Sequence, residues 1–197
     1  MNYPIGKKLI ADAFTLNVRD NDMVFDKPLN GGVDVGSRPG DHWIGSLTWT
    51  NRSGDDADTI RMFLQQTRRG NIFSLYPHDR TKPKGTALGT PVVAEAGAAG
   101  YTIQSSGWDA NQTEVLKPGD YIQIGTELKQ IVTTASSNAT GNAQLEFVPS
   151  IKTPPADGSQ IITDYPRGFF IRTDSQPDTS VGGGFIYAMS LSFREYF

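Results

Sequence analysis

An alternation of apolar and polar side chains runs through residues 114–151 and predicts a small antiparallel β-module. A turn at 118–120 precedes the first strand, and the pair Gly125-Thr126 interrupts the pattern, which favours a tight hairpin or a bulge. The predicted apolar side holds Ile122, Ile124, Leu128 and Val132, and the predicted polar side holds Tyr121, Gln123, Glu127 and Lys129. A further strand is predicted at 144–148.

The first eighty residues predict aromatic strands around one helix. Residues 42–51 are predicted to form a strand, because Trp43, Leu47 and Trp49 share one face. The helix follows, since Ser53 or Asp55 can cap its start and the segment 68–70 is typical of a helix end. Its apolar positions recur at helical spacing at Ala57, Ile60, Phe63, Leu64 and Thr67. Other strands are predicted at 8–18, near 24–25 and 33–35, and at 71–76.

The clearest strand pattern ends the chain. Its predicted buried face holds Phe185, Tyr187, Met189, Leu191, Phe193 and Phe197. Such an apolar strand must be paired and covered, so we expect it to share a sheet with strands from the first third. A connector rich in Pro, Gly and Lys at 78–91 marks an insertion. The predicted fold class is mainly β: a split β-sandwich or barrel domain of residues 1–85 and 165–197, with one helix, interrupted by a small inserted β-barrel domain of residues 86–164.

Composition narrows the function classes. The chain has 197 residues, a formal net charge of -3 and no cysteine. The charge gives no basic field for nucleic acid and no polybasic face for a membrane surface. The missing cysteines exclude disulfides, thiolate metal sites and cysteine catalysis. The first residues lack the apolar run of a signal peptide, so we expect assembly in a cytoplasm.

Candidate chemical sites have simpler interpretations. The carboxylates of Asp55, Asp56 and Asp58 suit a hard cation, but they do not match an EF-hand loop and are interpreted as helix-capping charge. His42 and His78 cannot build a zinc site alone and are interpreted as surface or interface residues. The chain has no Gly-x-Ser-x-Gly motif. We therefore predict no catalytic residue, no cofactor and no metal.

Charged strands and a basic cluster remain. Asp120, Glu127 and Glu146 are compatible with a pair of catalytic acids, but alternating strand charges are more typical of a solvated face. The basic cluster consists of Arg68, Arg69, Arg80, Lys82 and Lys84. Because the chain is acidic overall, we interpret this cluster as a subunit contact rather than a nucleic-acid site. The aromatic end of the chain, including Phe197, is a second candidate for an oligomer interface.

In chain order, these features resemble the tail proteins of bacteriophages. The aromatic strand that ends at Trp49 is followed by the segments IRMFLQQTRRG, NIFSLYP, KPKGTALGTPVV, LKPGDYIQIGTELKQIV, LEFVPSIKTPPADGSQI and YPRGFFIRTD, and then by the aromatic last strand. The chain is similar to small structural proteins of long-tailed phages, of the distal tail or minor tail type. In those proteins a ring-forming β-domain is interrupted by a smaller inserted β-barrel.

The resemblance implies a structural subunit of the virion tail and not an enzyme. It implies a homo-oligomeric ring, usually hexameric, at the distal end of the tail tube, with the tube protein and the tail tip or baseplate hub as partners. Arg68, Arg69, Arg80 and Phe197 are then candidate interface residues. Two alternatives stay open: a carbohydrate-binding or receptor-binding module with Tyr101 and Trp108 as a stacking platform, and a cell-wall-degrading enzyme with Asp120 and Glu146 as acids.

Overall fold

A computed structural model describes residues 10–26, 31–36, 38, 40–68, 70–176 and 178–197. Within these ranges the chain forms fourteen strands and one helix. In chain order they are β1 (Ala13–Arg19), β2 (Met23–Asp26), β3 (Val33–Gly36), β4 (His42–Arg52), α1 (Gly54–Gln66), β5 (Phe73–Leu75), β6 (Gly89–Val93), β7 (Gly100–Trp108), β8 (Tyr121–Ile124), β9 (Glu127–Ile131), β10 (Ala143–Ile151), β11 (Ile161–Ile162), β12 (Gly168–Arg172), β13 (Asp178–Gly182) and β14 (Ile186–Glu195). The predicted mainly β class with one helix is confirmed.

The main sheet joins the two ends of the chain. Its strands follow the order β1-β4-β14-β12-β5, and β13 pairs with the free part of β14. Strands β4 and β14 run antiparallel, with Trp49 opposite Met189 and Leu47 opposite Leu191. The expectation that the last strand pairs with the first third of the chain is therefore confirmed. The sequence reasoning did not predict β13, which carries no buried residue.

Helix α1 covers one face of the main sheet. Its buried side chains are Ala57, Ile60, Phe63 and Leu64, as the helical spacing predicted. The Phe63 ring packs edge-on against the Phe73 ring of β5, with 5.5 Å between the ring centroids. Ser53 is the N-cap residue, but its side chain makes no capping hydrogen bond. The acidic first turn of Asp55 and Asp56 provides charge that favours the helix N-terminus.

The second sheet is nearly closed into a barrel. Its strands follow the order β11-β8-β9-β10-β7-β6. A bridge between Val92 and Gln160 brings the two outer strands together, and the Val93 amide donates to the Ser159 carbonyl at 2.8 Å. A separate hydrophobic cluster fills its interior, with Ile103, Leu145 and Phe147 among its members. Among the residues that the structure describes, no helix combines the length and the apolar character needed to cross a membrane.

The predicted faces of the organising module are wrong beyond residue 125. Strands β8 and β9 form a hairpin around Gly125-Thr126 in which Ile124 lies opposite Glu127. Opposed residues share a face, so the two-residue turn shifts the alternation by one position. Leu128 consequently packs in the core of the main sheet, whereas Ile122 and Ile124 pack inside the barrel. Glu127 and Lys129 are buried instead of solvated, and Val132 is partly exposed.

The two sheets contact each other through the start of β4 and the hairpin of β8 and β9. The Trp43 indole Nε1–H donates to the Leu128 carbonyl at 2.7 Å. The rings of Trp43 and Tyr121 pack with 6.0 Å between their centroids. The Arg167 amide also donates to the Gln123 side-chain oxygen at 2.8 Å. Buried hydrogen bonds and aromatic contact therefore fix one sheet against the other.

Candidate assembly surfaces

A two-stranded ribbon formed by β2 and β3 carries exposed valines. Val24 lies opposite Val35, and Asp26 lies opposite Val33, so the three valines share one face of the ribbon. Val24 is 65% exposed, and the other two are exposed to a similar extent. The Phe25 ring on the other face is half exposed and lies over Gly36. An isolated ribbon of this length is marginally stable in water, which makes it a candidate for packing against a partner.

The ribbon extends from one end of the main sheet. It connects β1 to β4, and these strands pair with Arg19 opposite His42. The ribbon therefore starts at the His42 end of β4. Sequence reasoning predicted two short strands here but did not identify them as a surface. The alternation of Val33, Asp34 and Val35 next to a second apolar pair was the available signal.

A second exposed apolar group lies at the opposite end of the main sheet. Strands β13 and β14 pair from Asp178–Ser190 to Gly182–Ile186 and turn at 183–185. At this turn the Phe185 side chain is 78% exposed, and Val181 and Ile186 are also exposed. Tyr187 lies opposite Arg52, the last residue of β4. Since β4 has eleven residues, its ends lie about 33 Å apart, at roughly 3.3 Å per residue.

The last residue of the chain lies at the His42 end. Phe197 is half exposed, and its ring contacts the His42 ring and the Lys152 ammonium, which lie 6.4 Å and 5.8 Å from its centroid. Phe197 was predicted to share the buried face of the last strand, but β14 ends at Glu195 and the ring remains partly accessible. Phe197 therefore lies at the same end of the main sheet as the valine ribbon.

The predicted arginine cluster is divided in the structure. Arg68 lines an open groove of about 430 Å³ together with Arg61 and Arg172. Arg80 lies elsewhere and donates to the Asp120 carboxylate at 3.1 Å, which gives it a structural contact within the chain. Arg69 lies outside the described residues. Arg68 is thus the described arginine of the predicted interface set that faces solvent.

The predicted stacking pair is not assembled on the surface. Tyr101 is 45% exposed on β7. Trp108 is only 4% exposed, lies in the barrel core, and donates its indole N–H to Ser105 Oγ at 2.8 Å. A ring this buried has no open face for a sugar, because stacking requires contact with the whole ring face. Trp108 packs in the core of the barrel because β7 turns its last residue inward, with Gly107 and Gly141 allowing close backbone approach.

The candidate acids are used for structure or lie apart from a cleft. Asp120 is fully buried and accepts hydrogen bonds from Arg80 and from the amides of Lys84, Gly85 and Lys117. Its carboxylate therefore fixes the connector against the barrel, which corrects the solvated-face interpretation. Glu146 is exposed and accepts a hydrogen bond from the Thr133 hydroxyl.

The histidines also have identifiable surroundings. His42 Nδ1 lies 2.8 Å from the Gly40 carbonyl. The His78 ring stacks on Phe14 at 4.8 Å between centroids, and burial lowers the pKa of His78 to about 4, although Asp79 opposes the shift. In the described part of the chain, no group of three or more His, Asp or Glu side chains is arranged to hold a metal ion.

Comparison with known proteins adds no family assignment. No protein-family model matches the chain, and no curated protein matches it.

Proposed function

We propose that the protein is a structural subunit that assembles with copies of itself, head to tail, into a closed ring at the distal end of a bacteriophage tail tube. In this proposal the ring connects the tube protein to the tail tip or baseplate. The protein acts through contact geometry and catalyses no reaction. The observation that carries the proposal is the pair of exposed apolar groups at the two ends of β4, the valine ribbon and the tip at Phe185.

Two different surfaces at opposite ends favour a head-to-tail contact. In an isologous dimer one patch meets the same patch, and a second apolar patch would stay exposed. In a head-to-tail contact the ribbon of one copy meets the tip of the next copy, so both become covered. Repetition of this contact closes into a ring when the rotation between neighbours divides a full turn, and otherwise gives a filament.

The expected strength of the contact also favours a closed assembly. Fully burying a Val or Phe side chain contributes about 1.5–3 kcal/mol, and these residues are already partly covered. Four or five such side chains together contribute roughly 5 kcal/mol, which is comparable to the free-energy cost of association. A single contact is therefore weak. Ring closure gives every copy two contacts, which raises the stability of the ring above that of an open pair.

The position in a phage tail is supported by the order of sequence landmarks. The tail-protein resemblance expects a β-domain built from both ends of the chain and a β-barrel built from the middle. Strands β1, β4 and β5 from the first part of the chain and β12, β13 and β14 from the last part form the main sheet, and strands β6 to β11 form the nearly closed second sheet. This agreement concerns architecture, so the tail location requires its own test. Labelled antibodies against the protein are expected to mark the end of the tail tube in electron micrographs of virions.

The contact is tested with two variants that each remove one surface. Val24→Asp places a charge on the ribbon, and Phe185→Asp places a charge on the tip. Native mass spectrometry of the wild-type chain is expected to show a closed oligomer, and each variant alone is expected to be monomeric. In an equimolar mixture of the two variants, one intact ribbon can meet one intact tip; because this single contact is weak, we expect a heterodimer only at high protein concentration and nothing larger at any concentration. Val132→Asp, at a partly exposed barrel valine, is the matched control and should still assemble.

Two outcomes contradict the head-to-tail proposal. If Phe185→Asp alone forms dimers, the ribbon contacts itself and the interface is isologous. If the wild-type chain is monomeric at every concentration and does not join tail tubes, the protein is not a ring subunit.

A further inference from the structure

A buried group of charged side chains lies where the two sheets meet. Its members are Asp41, Glu127, Lys129, Lys152 and Glu195. Asp41 directly precedes β4 and Glu195 ends β14, so both belong to the main sheet. Glu127 and Lys129 lie on β9, and Lys152 directly follows β10, so these three belong to the barrel. Each sheet thus contributes charge to one shared junction in which four of the five groups are buried.

Two of the three carboxylates are fully paired. Asp41 accepts from the Lys152 ammonium at 2.7 Å and from the Ser150 amide at 2.8 Å. Glu127 accepts from the Lys129 ammonium at 2.5 Å and from the amide of Lys152 at 3.0 Å. Both carboxylates therefore have a cation and at least one amide donor as hydrogen-bond partners.

The third carboxylate, Glu195, is poorly paired. Its Oε2 accepts from the Trp43 amide at 3.0 Å. Its Oε1 is buried and has no hydrogen-bond partner among the described residues, and the residue is only 2% exposed. The sequence contains a signal for this arrangement, because Glu195 falls on the parity of Met189, Leu191 and Phe193, the apolar side of the last strand.

The charges in the junction do not balance. Three carboxylates face two ammonium groups, which leaves one negative charge in excess when all five are ionised. An excess charge in a buried site is strongly unfavourable, and the group with the fewest donors is the one that takes up a proton. We propose that Glu195 is a pH-sensitive switch at the contact between the two sheets: protonation of its carboxyl group strengthens the docking of the barrel on the main sheet, and loss of that proton weakens it.

The electrostatic surroundings agree with this assignment. Burial raises the pKa of Glu195 to about 7, while the Trp43 amide, Lys129 and Lys152 oppose the shift and Glu127 adds to it. Burial lowers the pKa of Lys129, but the close contact with Glu127 favours its charged form. The neighbouring strand β12 brings Phe170 opposite Glu195 and adds no charge at that position.

The direction of the pH dependence follows from the raised pKa. The folded chain binds the proton more tightly than the unfolded chain, where the pKa is near the ordinary 4.5. The stability that protonation gives is therefore complete below pH 4.5 and is lost as the pH rises through about 7. A difference of this size corresponds to a change of roughly two to three orders of magnitude in the folding equilibrium constant.

The test compares the wild-type chain with Glu195→Gln in urea unfolding at pH 5 and pH 8. The amide is neutral at both values, whereas His78 contributes a trend of opposite sign to both chains, so the readout is the difference between the two midpoints. Relative to the wild-type chain, Glu195→Gln is expected to gain stability as the pH rises from 5 to 8. The matched control is Glu146→Gln, which changes an exposed glutamate of the barrel and should keep a constant offset from the wild-type midpoint. If the offset of Glu195→Gln is also the same at both pH values, the proposal is overturned.

A second measurement uses the wild-type chain and does not depend on the folding of a variant. Carbon-13 NMR of the Glu195 side-chain carboxyl is expected to show a titration midpoint near 7, and a midpoint in the ordinary glutamate range overturns the proposal. Hydrogen exchange locates the effect: the Trp43 amide donates to Glu195 within the main sheet, and the Ser150 amide donates from the barrel to Asp41. Both amides should exchange at least tenfold faster at pH 8 than intrinsic rates explain. Unchanged protection of the Trp43 and Ser150 amides contradicts the proposed role of Glu195. Neither measurement requires ring assembly.

Discussion

The close packing of three strands around Gly45 gives a direct test of the main sheet. Gly45 lies on β4 between Leu16 of β1 and Phe193 of β14. A β-carbon added to Gly45 would lie 2.7 Å from the Phe193 ring and even closer to the Thr15 carbonyl oxygen. Both contacts are far shorter than van der Waals distance. The substitution Gly45→Ala therefore forces β1 or the Phe193 ring to move.

The magnitude follows from which atoms must give way. Overpacking a well-packed site typically costs about 1–3 kcal/mol. The Thr15 oxygen belongs to a strand backbone that cannot rotate away, so we expect the upper end, about 3 kcal/mol. With a urea m-value of about 2 kcal/mol per molar, the unfolding midpoint of Gly45→Ala should fall by about 1.5 M.

The assay is urea unfolding followed by tryptophan fluorescence, since Trp43 and Trp49 are buried on β4 beside the substitution. The matched control is Gly183→Ala, because an added β-carbon there meets no atom within 4 Å. The control should unfold within about 0.5 kcal/mol of the wild-type chain. If Gly45→Ala is as stable as the control, strands from the two ends of the chain do not pack as described.

Three further predictions concern the barrel, its connector and one histidine. Asp120→Asn should lower the free energy of unfolding by about 3 kcal/mol, because both carboxylate oxygens accept hydrogen bonds. In one orientation the new NH₂ group would face the Arg80 guanidinium, and in the other it would face the amides of Gly85 and Lys117. A loss below about 1 kcal/mol in urea unfolding would contradict this role. Trp108→Ala should cost about 3–5 kcal/mol and Tyr101→Ala less than about 1 kcal/mol in the same assay, since only the first ring is buried; equal losses would place both rings in similar surroundings. Burial lowers the pKa of His78 from 6.5 to about 4, so its contribution to stability is present above pH 6.5 and is lost as the pH falls through 4. His78→Gln should therefore show a smaller decrease in the urea unfolding midpoint than the wild-type chain as the pH falls from 6.5 to about 4. An equal decrease in both chains would refute the assignment.

The sequence predicted the parts of the fold in which one face is apolar and one is polar. Helix α1 buries a single side, so a period of 3.6 residues identified it correctly, and a period of two identified the buried Met189, Leu191 and Phe193 of β14. The same period placed Phe185 and Phe197 on that buried face, but both lie outside β14 and are exposed. The pattern failed at β9 because both of its faces are covered, one by the main sheet and one by the barrel. The sequence pattern therefore does not distinguish the buried Lys129 from an exposed lysine.

The candidate surfaces were harder to predict for a related reason. The ribbon valines have the composition of a core strand, and only their exposure in the structure identifies them as a surface. Trp108 shows the reverse error, since an aromatic residue suited to a binding platform is used for packing. Periodicity reports which residues share a face, but it does not report what covers that face.

The buried junction and the candidate assembly surface occupy neighbouring parts of the main sheet. Asp41 and Trp43 lie at the start of β4, where the valine ribbon also joins the sheet. Phe197 lies two residues beyond Glu195 and contacts both His42 and Lys152. A shift in the docking of the barrel therefore moves Lys152 relative to the exposed end of the chain. Because the same short segment of β4 anchors the barrel and supports the ribbon, we expect a change in the orientation of the barrel to alter the geometry of the proposed ring contact.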